Sequence, residues 1–259
     1  MARFYEAPAV GAFLQSGLIG NRLQKQRKYK STHGVTKNIE EPHEFGYFWS
    51  RHLGVCNDTH EPNDGDIINV NIERLNAELQ SVISVFNKSV VFKCLLGNFF
   101  ISVLKKIPNV FFLDMHRNLI DLALSFWRVR EERLGSVHKW WSIRPGNYTE
   151  LKELNPVQQI VGQITAIRNA VTRDLATVED NRKAVIHCES LVKAPERIVD
   201  ELVKKFVAAG FHIEKVGEPI PELQFPKKRE IDNDLLSEFN RAFEELTMNK
   251  YQELEVSYG

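Results

Sequence analysis

The sequence predicts an α/β protein with a mostly parallel central sheet flanked by helices. Residues 89–94, 109–115 and 183–188 form short runs rich in β-branched and aromatic residues, with the near-continuous apolar character of strands covered on both faces. Segments with helical spacing separate these runs, and strands that alternate with helices favour βαβ units and a parallel sheet. We therefore expect the loops after the strands to share one edge, where open α/β sheets bind ligands.

The helices are predicted from apolar residues that recur at helical spacing. In chain order, they cover residues 75–86, 99–106, 120–133, 156–171, 195–206 and 235–246. Asn155 followed by Pro156 is a favourable N-cap and first helical residue, and it predicts where the fourth of these helices begins.

Composition excludes some classes of protein. The 259 residues are 43% hydrophobic and 26% charged, with 34 basic and 34 acidic side chains. This balance is typical of a globular protein and disfavours a strongly cationic nucleic-acid binder. Residues 22–30 form one basic run, but Tyr29 is its only aromatic residue for base stacking. We therefore expect no nucleic-acid partner.

The few cysteines indicate reduced thiols and a cytoplasmic location. Cys56, Cys94 and Cys188 have no paired spacing, and we expect the last two to be small buried residues. The spacing of cysteines and histidines predicts no metal site. The first residues do not resemble a secretory signal, and no apolar run is long enough to predict a membrane span.

Residues 109–133 carry the most chemical information. An apolar strand ends just before Arg117, and the helix that follows at once contains Ser125. Arg117 is therefore expected at the ligand-binding edge, where its planar guanidinium can hold a phosphate through two hydrogen bonds. Ser125 lies about two helical turns further on. The alternative interpretation is an arginine that only ends a strand and a serine that faces solvent.

The same segment resembles the 3′-phosphate signature of the sulfotransferase family, R-[DN]-P-x-D-x-x-x-S. Arg117, Asn118, Asp121 and Ser125 match it in place, whereas Leu119 stands where the family usually has proline. Further segments resemble the family in the same order. They are residues 90–98 with 107–110, 140–141 with 145–146, 158–163, and 187–192 with 195–196.

The resemblance covers roughly residues 38–206, about two thirds of the chain. It implies a single P-loop-type α/β domain over residues 1–259, with a poorly matched part at 1–37 and a helical C-terminal part at 207–259. Members of the family transfer the sulfuryl group of 3′-phosphoadenosine 5′-phosphosulfate to an alcohol, phenol or amine. No metal is needed, because basic side chains and backbone N–H groups can stabilise the developing charge.

The resemblance also implies residues that bind the co-substrate. Arg117 and Ser125 would hold the 3′-phosphate. The family often covers the nucleotide with a basic, glycine-containing loop near the C terminus, and here Lys227, Lys228 and Arg229 form the only late basic cluster. This cluster lacks the glycines, so an exposed basic turn is the alternative interpretation.

An acceptor that attacks the sulfuryl group must lose a proton, which requires a nearby base. The candidates are Glu41, His43 and Glu44, in a stretch similar to the E-x-P-x-E-F of related bacterial sequences. Glu41 ranks first because it directly precedes Pro42. The alternative is a polar loop that leads into an aromatic helix. Aromatic side chains could wall the acceptor pocket, and they are Phe45, Tyr47, Phe48, Trp140 and Trp141.

The family's P-loop has no counterpart in the sequence. Neither a strand followed by text such as P-R-S-G-T-T-L-L nor a GxxxxGK[ST] motif occurs. The backbone N–H groups of that loop grip the 5′-phosphosulfate. The chain is therefore expected to begin just after the loop, with the first strand missing from the sheet.

Two hypotheses follow from this departure. One is a sulfotransferase that acts on a small molecule, glycan or lipid, and the other is a non-catalytic protein that keeps the fold and binds a partner. A P-loop kinase relative is disfavoured, because no Walker lysine is present. The sequence specifies neither the acceptor nor the oligomeric state.

Overall fold

A computed structural model describes residues 46–55, 60–86, 89–213, 220 and 232–257, with backbone only at 86 and 247–257. The fold is α/β and mostly helical, with a small parallel sheet of two strands in this part of the chain. The chain forms two compact units. Among the described residues, the first comprises those up to Val110 with Gly210–Ile213, and the second comprises Phe111–Ala209 and those beyond 213.

The first unit is helical. Its α-helices are α1 (Gly46–His52), α2 (Asp64–Ile68), α3 (Ile72–Phe86) and α4 (Ile101–Leu104), and a 3₁₀ helix (Leu96–Phe99) precedes α4. The helix predicted over 75–86 is thus confirmed, whereas the one predicted over 99–106 is confirmed only as the four residues of α4. Phe48, Trp49, Leu53 and Leu75 are buried core residues of this unit. The predicted role of Phe48 in an acceptor pocket is therefore wrong, whereas Tyr47 is exposed.

The strand predicted over residues 89–94 is absent, so this prediction is wrong. The segment has no regular secondary structure, and Val91 is 81% exposed. A parallel strand needs cover on both faces, and here exposed residues alternate with half-buried ones. The segment leads instead into the 3₁₀ helix, where the half-buried Cys94 Sγ accepts a hydrogen bond from the Gly97 N–H at 3.1 Å.

A polar cluster around Glu78 joins α1 to α3. Glu78 Oε2 lies 3.0 Å from Nε2 of the buried His52, and Oε1 lies 3.4 Å from Arg74 Nε and 3.5 Å from Arg51 Nη2. Burial by itself raises the pKa of Glu78, but the hydrogen bond and charge of His52, the charge of Arg51 and the hydrogen bond of Arg74 outweigh it. The pKa of Glu78 is therefore lowered below its ordinary value of 4.5.

Replacing Glu78 by glutamine should lower the free energy of unfolding at pH 7 by about 1 kcal/mol. A carboxyl group whose pKa is depressed by folding contributes stability above its unfolded pKa and loses it as pH falls through its folded pKa. The gap between the wild type and Glu78→Gln should therefore close below about pH 4.5, as measured by urea unfolding at pH 7 and pH 3. Glu73→Gln, an exposed change on the same helix, is the control. A gap that is equally wide at both pH values would contradict the prediction.

The second unit contains the sheet and the longer helices. Its elements are β1 (Phe112–His116), α5 (Leu119–Leu134), α6 (Tyr148–Leu151), α7 (Pro156–Leu175), β2 (Lys183–His187), α8 (Cys188–Lys193), α9 (Pro195–Ala208) and α10 (Asn233–Ser257). The strands predicted over 109–115 and 183–188 and the four later helices are thus confirmed. The Asn155 side chain caps α7 as predicted, accepting a hydrogen bond from the Gln158 N–H at 2.9 Å.

The two strands pair in parallel, and their carboxyl ends lie side by side. The register runs from Phe112 opposite Lys183 to His116 opposite His187. Since α5 follows β1 and α8 follows β2, the residues after both strands meet at one edge of the sheet. This is the edge at which the sequence predicts ligand binding.

The helices α5, α7 and α10 pack together into the core of this unit. Leu124, Ile160, Val161 and Phe239 are among its buried side chains. Glycine ends α5, because Gly135 takes the left-handed φ of 69° that this residue tolerates without a steric penalty. In the described part of the chain, no helix is long and apolar enough to cross a membrane.

Candidate functional site

A cleft of about 870 Å³ lies at the carboxyl edge of the sheet in the second unit. Elements β1, β2, α5, α7, α8 and α10 contribute residues to it. Its polar lining residues are His116, Arg117, Asn118, Thr165, Arg168, Asn169, His187 and Glu189. Its apolar lining residues are Met115, Leu119, Leu122, Ile164, Phe243 and Leu246.

Arg117 lies in this cleft, directly after β1. The residue is exposed, and its guanidinium makes no hydrogen bond or ion pair with any described residue. Its charge reaches two neighbours across the cleft edge. It opposes the increase in the pKa of the Cys188 thiol that burial and Glu189 cause, and it helps to lower the pKa of Glu189. An exposed cation in a concave site, with no partner in the described part of the chain, is available to an anionic ligand.

The residues next to Arg117 build the start of α5. The Asn118 side chain is the N-cap and accepts a hydrogen bond from the Asp121 N–H at 3.0 Å. Asp121 lies in the first turn, where a negative charge favourably meets the helix dipole. Two of the four matched signature positions thus have a clear role in forming the helix. A match at these positions is therefore weaker support for ligand binding than a match at Arg117.

Ser125 lies further along α5 and is half-buried. It is not among the residues that line the cleft. Ser125 is the seventh residue of α5, about 9 Å along the helix axis from Leu119. The cleft therefore brings Arg117 to the ligand edge without Ser125, and a shared phosphate contact stays a prediction.

Glu189, the second residue of α8, contacts the turn between β1 and α5. Its Oε1 accepts a hydrogen bond from the Asn118 N–H at 2.9 Å. That hydrogen bond is the main reason why the pKa of this exposed carboxyl group is lowered. A ligand anion at Arg117 would share the cleft with this carboxylate, so the cleft has a negative as well as a positive side.

A partly buried polar triad lies beside Arg117. Arg168 Nη1 donates to Asp114 Oδ1 at 3.1 Å, and Asp114 Oδ2 lies 2.8 Å from His116 Nε2. The Arg168 guanidinium also lies along the imidazole edge, with Nη2 2.5 Å from Nε2 and 3.1 Å from Nδ1. The carboxylate, the imidazole and the guanidinium are therefore joined by direct polar contacts. The charges of Asp114 and Arg168 neutralise each other, so Arg117 is the cation of the cleft that lacks an ion-pair partner among the residues the structure describes.

The two strand-terminal histidines face each other across the register. His116 and His187 have ring centroids 5.2 Å apart in an edge-to-face arrangement. Both line the cleft, so imidazole hydrogen-bonding groups join the guanidinium of Arg117 at the ligand edge. No group of three or more His, Cys, Asp or Glu side chains among the described residues is arranged to hold a metal ion.

Sequence reasoning missed Asp114, His116, Arg168 and His187. Two signals could have found them. Asp114 and His116 are polar residues at alternate positions of an otherwise apolar strand, so they share one face. Arg168 lies four residues after Ile164, so helical spacing places it on the same side of α7 as a cleft residue.

The segment similar to the family's tryptophan and glutamine motifs forms a buried network instead of a ligand pocket. Arg130 is fully buried, and its Nη1 donates to Gln159 Oε1 at 2.8 Å while Nη2 donates to Gln163 Oε1 at 3.3 Å. The guanidinium carbon lies 5.1 Å from the Trp140 ring centroid. Trp140 is therefore committed to packing on Arg130, and Trp141 stacks in a similar way on Arg133 at 4.9 Å.

Several predicted site residues lie outside the described part of the chain. These are the candidate bases Glu41, His43 and Glu44, the aromatic residue Phe45, the basic cluster Lys227, Lys228 and Arg229, and Cys56. Their roles stay predictions. Cys188 is half-buried and not fully buried as predicted, because it begins the short helix α8 at the sheet edge.

In comparisons with known proteins, no family model, no curated protein and no solved structure matches the chain. The cleft and the sequence resemblance are therefore the two observations from which a function can be inferred.

Proposed function

We propose that this protein is a sulfotransferase that binds 3′-phosphoadenosine 5′-phosphosulfate and transfers its sulfuryl group to a hydroxyl or amine acceptor. The observation that carries the proposal is the position of Arg117. It ends a parallel strand, lines a nucleotide-sized cleft and has no ion-pair partner among the described residues. A guanidinium in that setting suits a phosphate, because it offers two parallel N–H donors and a permanent charge.

The surroundings of Arg117 support the same role. The imidazoles of His116 and His187 and the amide of Asn169 supply further polar groups along the cleft. Since Arg168 is already paired with Asp114, the free positive charge is concentrated at Arg117. Binding would therefore depend on this one residue more than on the cleft as a whole.

The proposed transfer is an in-line displacement at sulfur. The acceptor oxygen or nitrogen forms a bond to sulfur while the bond from sulfur to the donor's phosphate oxygen breaks, and the acceptor proton passes to a base. This chemistry depends on positioning and charge stabilisation, as phosphoryl transfer does. Glu41 is the proposed base, with His43 and Glu44 as alternatives, and Lys227, Lys228 and Arg229 are proposed to cover the nucleotide.

Replacing Arg117 by alanine should weaken binding of adenosine 3′,5′-bisphosphate about 10- to 100-fold, because two hydrogen bonds to a charged group are lost. Isothermal titration calorimetry measures the affinity. Arg197→Ala removes an exposed arginine of α9 outside the cleft and should leave the affinity unchanged. No binding to the wild type, or equal binding by both variants, would contradict the proposal.

A sulfate-transfer assay then separates the proposed enzyme from the non-catalytic alternative. Nucleotide binding together with transfer to a panel of phenols, alcohols and amines supports the enzyme. Nucleotide binding without transfer favours a protein that keeps the donor half of the site and binds a partner. The lack of a P-loop motif in the sequence is the observation behind that alternative.

A further inference from the structure

Among the described residues, three of the six apolar side chains that line the cleft and form its apolar wall are exposed. Met115 is 47% exposed, Leu119 is 43% exposed and Leu246 is 37% exposed, and all three line the same cleft. They come from three different elements, β1, α5 and α10. Single exposed apolar residues are ordinary on protein surfaces, whereas several that line one concave site are typical of a binding surface.

The chemistry of this wall favours an alkyl chain over a flat ring. Of the six apolar lining residues that the structure describes, five are aliphatic or methionine and one, Phe243, is aromatic, whereas the imidazole and guanidinium planes belong to the polar lining. Purine bases are usually held by stacking on aromatic or guanidinium planes. Flexible aliphatic side chains instead suit a hydrocarbon chain, which gains affinity from each methylene removed from water.

The anionic end of such a ligand has a matching position. Arg117 and Leu119 are two positions apart in the chain and line the same cleft, so a cation with no described partner and the exposed aliphatic residues belong to one surface. We propose that this cleft binds a medium-chain fatty-acid anion, with the carboxylate at Arg117 and the chain along Leu119 and Leu246. This ligand class goes beyond the proposed sulfuryl transfer and does not require a nucleotide to be bound.

Titration of the wild type with octanoate, acetate and 1-octanol tests the proposal. Octanoate should bind at least about tenfold more tightly than acetate, because acetate lacks the chain. It should also bind more tightly than 1-octanol, which lacks the charge. Octanoate binding no tighter than acetate binding would overturn the proposal.

A matched pair of variants shows where the alkyl chain of octanoate binds. Leu119→Ser should weaken octanoate binding about fivefold and leave acetate binding unchanged. Leu154→Ser makes the same substitution at a leucine that is also 43% exposed but lies outside the cleft, and it should change neither. Equal effects of the two variants on octanoate would overturn the proposal. Leu246→Ser provides a second cleft variant, and thermal unfolding confirms that each variant is folded.

Arg117→Ala tests the head group. The substitution should weaken the binding of acetate and the binding of octanoate by the same factor, because only the carboxylate contact is lost. An octanoate affinity that is unchanged in this variant would overturn the proposed orientation and with it the proposal. Titration with adenosine 3′,5′-bisphosphate in the same samples keeps the two functions apart. Nucleotide binding without octanoate binding leaves the sulfotransferase proposal standing alone, and the reverse result removes that proposal and supports this one.

Discussion

Replacing Arg130 by alanine is expected to lower the free energy of unfolding by about 3–5 kcal/mol. The side chain is the largest among those that are fully buried in the described part of the chain. Its guanidinium also holds two helices and a loop together, since it donates from α5 to Gln159 and Gln163 of α7 and to the Val137 carbonyl oxygen. Few single substitutions elsewhere in the described residues would remove as much packing and as many hydrogen bonds at once.

Two opposing effects decide the size of this loss. Burial lowers the pKa of Arg130 to about 10, and no carboxylate among the described residues compensates its charge. Keeping this cation inside the protein therefore costs about 3 kcal/mol, which alanine would recover. Against this, alanine leaves a large cavity and two buried amide oxygens without donors, each of which costs about 1–3 kcal/mol. The loss of the contact with the Trp140 ring adds to the cost.

The hydrogen bonds around Arg130 explain why the side-chain amides of Gln159 and Gln163 should keep their orientation in the alanine variant. Gln163 Nε2 donates to the carbonyl oxygens of Trp141 and Ile143 at 2.8 and 2.7 Å. Gln159 Nε2 donates to those of Lys152 and Leu154 at 3.0 and 2.9 Å. Rotating either amide toward another donor would break backbone contacts that order the loop before α7. The unsatisfied oxygens therefore stay buried in the alanine variant.

Urea unfolding of Arg130→Ala and two comparison variants measures the net change in the free energy of unfolding. Arg130→Met keeps most of the volume and removes the charge, so it should cost only about 1–2 kcal/mol. Arg241→Ala removes an exposed arginine of α10 and should change the stability by less than about 0.5 kcal/mol. A loss of under 1 kcal/mol in Arg130→Ala would show that the network contributes little to folding.

The same network shows which parts of the site could be predicted from sequence. Helical spacing and the Asn155 cap predicted α5, α7, α9 and α10 correctly, because local apolar patterns and caps directly determine such helices. Trp140 was a candidate for the acceptor pocket and residues 158–163 resembled a further family segment, yet Trp140 and Gln163 both contact Arg130. Motif resemblance cannot distinguish a structural role from a ligand contact, because a buried arginine binds the same amide oxygens and aromatic faces that a ligand would use.

The cleft itself was predictable only in part. Parallel strands imply a shared carboxyl edge, so the position of Arg117 follows from its place after β1. The partners of Asp114 depend on tertiary geometry, since Arg168 is 54 residues away in the chain. The strand predicted over 89–94 is absent for a related reason. An apolar run indicates which residues can be buried, but whether both faces of a strand are covered depends on the rest of the fold.

Replacing Phe239 by alanine should have the second large effect, a loss of about 3–5 kcal/mol. Phe239 is fully buried on α10 and belongs to the core that α5, α7 and α10 form. Its ring packs edge-on against Trp127 of α5, with the centroids 6.0 Å apart. Removing it leaves a cavity at the point where α10 joins the rest of this unit.

The expected loss extends to the cleft, because Phe239 and two cleft residues share one face of α10. Phe243 and Leu246 follow it by four and seven residues, the spacing of a single helical face. If Phe239 anchors that face, its removal should loosen the wall that Leu246 contributes while leaving Arg117 in place. Binding of octanoate should then weaken more than binding of acetate.

Urea unfolding, amide hydrogen exchange and titration test this coupling in one set of samples. Phe239→Ala should speed exchange along α10 more than along α7, because local undocking costs less free energy than global unfolding. Phe239→Leu should cost only about 1–2 kcal/mol, since most of the volume is kept. Glu238→Ala changes the exposed neighbour and should leave stability, exchange and binding unchanged. If Phe239→Ala lost stability with uniform exchange and an unchanged ratio of octanoate to acetate affinity, Phe239 would stabilise the core without positioning the cleft wall.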